Sequence, residues 1–316
     1  MTRRTILMYH RIADDPEDPY SLCVSSDHFE AQLRTISETA EVVDLDRLTA
    51  GVAGGSPWRR YQAPGRARPA RAQVALTFDD GYADNLLTAL PVAEALGVPM
   101  TVYVTTDGLD STKGYWWDRM ALLLHGRREV ELDVEIGGRQ LRISLRGEKA
   151  APTALVALHT CLRLLAVVEI EAALVVIAGQ LSAPMPEPKR ARVMTRDELR
   201  TLAASPLVTI GAHTVDHVLL SGRSLAEQIE TMARSKAELE SLLGRPVRHF
   251  AYPYGDSDAF DAVSVEAARR CGFETATTTL SGRVTRLNDR WRLPRRMVRD
   301  WNADEFAARL WAWRAA

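Results

Sequence analysis

Two short motifs hold the residues best able to do chemistry. Thr77-Phe78-Asp79-Asp80-Gly81-Tyr82 places adjacent carboxylates after the apolar run Val74-Ala75-Leu76. His213-Thr214-Val215-Asp216-His217 places two imidazoles four residues apart after a second run, Leu207-Val208-Thr209-Ile210. Two His and one Asp make a three-ligand set that leaves a position open on a divalent metal, as a hydrolytic site requires and a closed structural site does not. The remaining Asp is then free to act as a base toward an attacking water. The spacing of four predicts both rings on one side of a helical turn, within reach of one ion. An Asx turn would explain Asp79-Asp80-Gly81 alone, and a chance pair among seven histidines would explain HxxxH alone. Together the motifs read as a metal-dependent hydrolase.

A third motif, Phe250-Ala251-Tyr252-Pro253-Tyr254-Gly255, ends a strand-like run with a proline that forbids its continuation and a glycine that permits positive φ. Such a turn can aim the Tyr254 N–H into a site as an oxyanion donor, or simply end a strand.

The elements that must position these groups alternate short apolar runs with amphipathic stretches, the pattern of an α/β protein with a largely parallel sheet. Strands are expected over 6–9, 74–78, 100–104, 248–252 and 274–278. Helices are expected over 27–38, over 85–96 ending at Gly97, over 259–271 and over 302–313. Ser224 and Glu227 form a capping box for a further helix over 224–243, with Gly244 just past its end. Two stretches break the rhythm. The segment 51–71, rich in Gly, Pro, Ala and Arg, is expected to be an exposed, solvated loop whose Arg59, Arg60, Arg66, Arg68 and Arg71 could meet an anionic polymer. The segment from about 109 to 193 reads as an insertion. It holds Tyr115-Trp116-Trp117, a hairpin of 130–136 and 140–144 around Gly137-Gly138, a helical segment over about 154–181, and a proline-rich exit. No internal repeat is present.

A chain of 316 residues with 46% hydrophobic and 26% charged content can build one substantial core, so a single domain over 1–316 carrying that insertion is expected. A net charge of −1 argues against a general nucleic-acid binder. Cys23, Cys161 and Cys271 lack CxxC spacing and read as reduced thiols. The apolar stretch Ile6-Leu7-Met8 is too short for a secretory signal, and Arg163, Glu169 and Glu171 interrupt the most apolar later stretch. A cytoplasmic enzyme without a transmembrane segment is expected.

TFDDGY, HTVDH and FAYPYG, in this order, resemble the polysaccharide deacetylase family (carbohydrate esterase family 4, the nodulation-type chitooligosaccharide deacetylase homology domain) over about 74–103 and 193–279. The opening Ile6-Leu7-Met8-Tyr9-His10-Arg11 is similar to the start of the branch that includes poly-N-acetylglucosamine deacetylases. The resemblance implies a distorted (β/α) barrel of about seven parallel strands and a divalent metal, usually zinc, with cobalt or nickel as alternatives. It implies Asp79 as general base, Asp80, His213 and His217 as metal ligands, and the Tyr254 N–H as an oxyanion donor. Two departures stand out. Many members open the third motif with an arginine that orients the base, where this chain has Ala251; Arg292 or Arg295 is expected to supply that cation. No late Leu-x-His motif supplies the general acid. His10 is expected to do so, because it follows a strand-like run and therefore lies at the mouth where parallel sheets place their chemistry. Trp116 and Trp117 either fill the core of the insertion or stack on sugar rings.

The expected activity is hydrolysis of N-acetyl groups on an amino-sugar glycan or a lipid-linked glycoconjugate, with the inner membrane face as one setting. The alternatives are an amidase of a small N-acylated sugar metabolite, or a glycan-binding protein that keeps the fold without turnover.

Overall fold

The computed structural model describes residues 3–15, 18–52, 71–147 and 150–315. The segment 53–70, which contains four of the five arginines of the expected loop, lies outside the described residues. By its internal contacts the chain divides into two compact units, 1–106 with 194–316, and 107–193.

The larger unit is a closed parallel barrel of seven strands. In chain order these are Arg4–Tyr9, Gln73–Phe78, Met100–Val104, Val208–Ala212, His249–Ala251, Thr275–Ser281 and Leu293–Met297. Each pairs in parallel with the next, and the first closes the ring against both the second (Ile6 opposite Ala75) and the seventh (Leu7 opposite Arg296). The strands are buried on both faces, which is why they read as continuous apolar runs and not as alternating ones. A two-residue strand, Glu41–Val42, adds to the start of the second barrel strand. Ile6, Ala75, Tyr103, Ala251, Val284 and Leu293 form a core cluster of this unit.

Helices join most of the strands. Ser26–Thr39 follows the first, Leu225–Leu243 the fourth, Ala262–Arg270 the fifth, and Ala303–Ala315 the seventh. The long helix begins at Ser224, whose side chain accepts from the Glu227 N–H in a full capping box, and ends at Gly244 with φ +64°. The expected helix over 85–96 is two pieces, a π-helical turn Asn85–Ala89 and an α-helix Leu90–Leu96. Three α-helices, Leu45–Thr49, Trp116–Leu124 and Arg196–Ala204, went unanticipated; the last is capped by Thr195 and Glu198. The seventh strand was also unanticipated, because its sequence Leu-Pro-Arg-Arg-Met lacks the apolar run that marks the other strands.

The unit 107–193 sits in the chain between the third strand and the helix before the fourth. Its hairpin pairs Glu131–Ile136 with Arg139–Ser144, and Gly137 and Gly138 form the two-residue turn, both with positive φ. The expected helix over 154–181 is instead a pair, Ala150–Leu162 and Val167–Gln180. The break at 163–166 contains neither Gly nor Pro, so no breaker signals it, and the Glu169 carboxylate caps the second helix by accepting from the Ala166 N–H.

Candidate active site

Every barrel strand runs the same way, so residues just past their C-terminal ends meet at one mouth. His10 follows the first strand, Asp79 and Asp80 the second, His213 the fourth, and Tyr252 to Tyr254 the fifth. Asp80, His213 and His217 come together there. Asp80 Oδ1 lies 3.5 Å from His213 Nε2 and 3.4 Å from His217 Nε2, and one ligand atom from each of the three lies within 4.8 Å of the others. His213 Nδ1 donates to the Ala251 carbonyl at 2.8 Å. A carbonyl can only accept, so the proton is on Nδ1 and the Nε2 lone pair faces the Asp80 carboxylate. This backbone tie is the outer-shell contact that orients a metal-ligating imidazole. A borderline donor set of two nitrogens and one carboxylate oxygen, buried and converging on one point, fits a divalent ion such as zinc.

The histidines do not share a helical turn, as their spacing suggested. Residues 214–216 form a turn in which Thr214 has φ +63°, and His217 itself has φ +54°. Left-handed residues swing the chain back so that the ring centroids come within 4.9 Å. Asp80 (φ +74°) and Tyr254 (φ +60°) are left-handed as well. Such conformations cost a side-chain-bearing residue about 1 kcal/mol or more each and persist where the surroundings over-determine them, often at functional sites.

Asp79 points to a different partner. Arg295, fully buried in the seventh strand, forms a two-pronged pair with it, Nη1 to Oδ1 at 2.7 Å and Nη2 to Oδ2 at 2.6 Å. Arg295 also donates from Nε to the Thr278 carbonyl and from Nη1 to Thr77 Oγ1, and its guanidinium lies 5.6 Å from the centre of the Tyr103 ring. Burial alone would raise the Asp79 carboxyl, but Arg295 more than offsets it and holds the pKa below the ordinary carboxylate value. Burial likewise opposes ionisation of Asp80, and the adjacent His213 and His217 rings reverse the sign. Arg292, the other expected cation, is exposed and faces the Phe260 ring at 5.9 Å. It does not reach Asp79, whose two oxygens are taken by Arg295.

His10 is half-buried, and its Nδ1 is buried with no hydrogen-bond partner among the described residues. Burial lowers its pKa, while the charges of Asp80 and Asp79 pull it back up, which places the ring within their electrostatic reach. Tyr254 packs its ring edge-on to His217, with centroids 4.6 Å apart. Trp116 and Trp117 are not surface platforms. Both indoles are buried in the unit 107–193, Trp117 stacked on Tyr115 and Trp116 on His159, because the helix Trp116–Leu124 turns its apolar face into that unit's core.

With this geometry in hand, the likenesses to known proteins become specific. Residues 157–276 match the family described as Polysaccharide deacetylase, a stretch that takes in both the HTVDH and FAYPYG motifs. That part of the chain is similar to the polysaccharide deacetylase family. A relative from Bacillus subtilis (strain 168), YxkH, provisionally named a polysaccharide deacetylase, is 26% identical over 93 residues, 29% of this chain. The match spans only 32% of that relative's length. Two solved structures are similar over nearly the whole chain. IcaB from Ammonifex degensii is 21% identical, with 100% of this chain and 98% of that one covered at a TM-score of 0.61. The Streptococcus pyogenes deacetylase PplD, solved with acetate, is 18% identical, with 98% and 97% covered at 0.60. These likenesses show a shared fold. Against the pattern of polysaccharide deacetylases, the guanidinium on the first Asp of TFDDGY comes here from the last barrel strand and not from the third motif, where Ala251 only offers its carbonyl to His213.

Proposed function

We propose that this chain is a metal-dependent carbohydrate N-deacetylase of the polysaccharide deacetylase family that removes acetyl groups from N-acetylglucosamine units of a glycan or glycoconjugate. The observation that carries the reading is the division of labour between adjacent carboxylates: Asp80 faces two imidazoles, and Asp79, one residue away, is committed to a buried arginine. Asp80, His213 and His217 would hold the divalent ion, with zinc the best fit to their donors. When bound, that ion supplies a Lewis acid for the amide carbonyl and makes water more acidic.

The chain's own residues then have distinct tasks. Asp79, kept anionic by Arg295, takes a proton from the attacking water. The Tyr254 N–H, presented by its left-handed turn, donates to the oxygen that becomes negative as the carbonyl is attacked. When the C–N bond breaks, its electron pair goes to nitrogen and His10 supplies the proton, so that acetate and a free amine leave. Burial lowers the pKa of His10, and a lower pKa makes its imidazolium a readier donor.

Acetate release from a panel of N-acetylglucosamine oligosaccharides, the monosaccharide and N-acetylated amino-sugar metabolites, with zinc, cobalt or nickel added, tests the reading. Release from oligosaccharides that Asp79→Asn abolishes while retaining metal is the expected result. Release from the small molecules alone would replace the glycan by a metabolite, and glycan binding without release of acetate would reject the enzyme.

A further inference from the structure

We infer that Asn85, at the start of the π-helical turn, is a positioning residue that sets where His10 stands over the reacting amide. The inference rests on His10 acting as the acid, as proposed above. Asn85 is fully buried, and its Nδ2 donates to the His10 carbonyl at 2.8 Å. A carbonyl only accepts, so the amide orientation is settled by this bond. The neighbouring Asp84 holds the next two residues: its Oδ1 accepts from the Ile12 N–H at 3.2 Å and its Oδ2 from Arg11 Nε at 3.1 Å. A third tie, the Asp79 N–H to the Tyr9 carbonyl at 3.1 Å, fixes the residue before His10 to the proposed base. Residues 9–12 are therefore clamped from one side by Asp79, Asp84 and Asn85.

The local backbone supports the assignment. The Leu90 N–H donates to the Asn85 carbonyl, a wider turn than an α-helix makes, and the helix becomes regular only from Leu90 onward. Such turns are rare and recur at functional sites, because the extra residue re-aims a side chain. Here the re-aimed side chain meets a carbonyl, not the substrate. The His10 ring has no hydrogen-bond partner of its own on Nδ1 among the described residues, so its position depends on how its backbone is held.

An acid is needed only when the leaving group is basic. A sugar amine must be protonated as the C–N bond breaks, whereas the 4-nitrophenolate of 4-nitrophenyl acetate departs unprotonated. The ratio of turnover on N-acetylglucosamine oligosaccharides to turnover on 4-nitrophenyl acetate therefore reports on the acid, and a merely structural role for Asn85 would not move it. Asn85→Leu keeps the branched skeleton, adds no charge beside Asp84 and removes the donor; Asn85→Ser is the second variant should the first not fold. Both are measured beside His10→Ala, at matched metal content. The expected result is that kcat on the amide falls at least about tenfold more than kcat on the ester in His10→Ala and in the Asn85 variants, as displacement of a catalytic group predicts. A selective loss in His10→Ala but not in the Asn85 variants overturns the positioning role and leaves the acid assignment standing. Equal losses on both substrates in the Asn85 variants assign them to stability and overturn it as well. No selective loss in His10→Ala removes the acid assignment and the positioning role together.

Discussion

At the scale of single residues, the site separates two kinds of buried acid that sequence places side by side. Asp80 faces the imidazoles of His213 and His217, and in the proposed function its task is to hold a cation with them. Alanine at Asp80, His213 or His217 is expected to lower the bound metal from about one ion per chain to a small fraction of that, as a three-ligand site loses a third of its donors. Elemental analysis of the three purified variants checks this, and full occupancy in all of them would dismiss the ligand set. Asp79 sees a guanidinium with no solvent access, and removing one partner of a buried pair leaves an uncompensated charge. Arg295→Ala is expected to cost about 3–5 kcal/mol of stability. Arg295→Lys keeps the charge but loses the planar fork, so its melting temperature should fall between the two. Thermal unfolding in the presence of metal measures both, and an Arg295→Ala protein as stable as the parent would mean that Asp79 is satisfied by something else.

At the scale of elements, the barrel strands and their caps carry the geometry. Gly211 in the fourth strand lies opposite Tyr103 of the neighbouring third strand, and a Cβ added there would stand 2.4 Å from the Tyr103 ring. Gly211→Ala should therefore destabilise by about 1–3 kcal/mol through overpacking, and the urea midpoint should fall with no change in the slope m. A second element-level tie joins the short helix Leu45–Thr49 to the entry of the fifth strand. Asp46 pairs with Arg248 and lies 3.3 Å from His249. Burial would raise the Asp46 carboxyl, but His249 and Arg248 outweigh it and bring the pKa from 3.8 to about 2. A folded-state value below the unfolded one means that the stabilisation is present above about pH 4 and is lost as pH falls through about 2. With about a quarter of the side chain in water, it amounts to about 1–2 kcal/mol. The stability gap between the wild type and Asp46→Asn should be open at pH 6 and narrow on acidification toward pH 2; a gap independent of pH would contradict the pairing.

At the scale of the whole molecule, closure of the ring decides which residues can meet. The seventh strand lies between the sixth and the first, and it carries Arg295 inward and Arg296 outward. A chain ending at Asn288 would lose that strand, leave two barrel edges unpaired and leave Asp79 buried without its cation. Such a chain is expected to show no cooperative thermal transition and no near-ultraviolet circular dichroism of fixed aromatic side chains. A truncated protein that melts sharply and retains its metal would show that the barrel tolerates opening there. Among the described residues no helix is long and apolar enough to cross a membrane.

The amino-acid sequence by itself determined the chemistry on offer and most of the frame. Adjacent carboxylates after a strand and a pair of histidines after another are local facts, and so are the apolar runs, the Ser224–Glu227 capping box and the Gly137-Gly138 turn. Each is set by contacts within a few residues, which is the range over which composition and spacing speak. The tertiary structure decided the rest. Seven histidines and forty basic side chains are too many for spacing to say which reach a given carboxylate. Arg295 and Arg292 are three residues apart in sequence, yet only the first points into the barrel, because ring closure and the strand's alternation fix its face. The path from His213 to His217 also escaped the spacing rule, since a left-handed turn held by its surroundings, and not helical periodicity, brings the rings together. Asn85 read as one more helical residue, and its meeting with the His10 carbonyl exists only because the first two strands lie side by side.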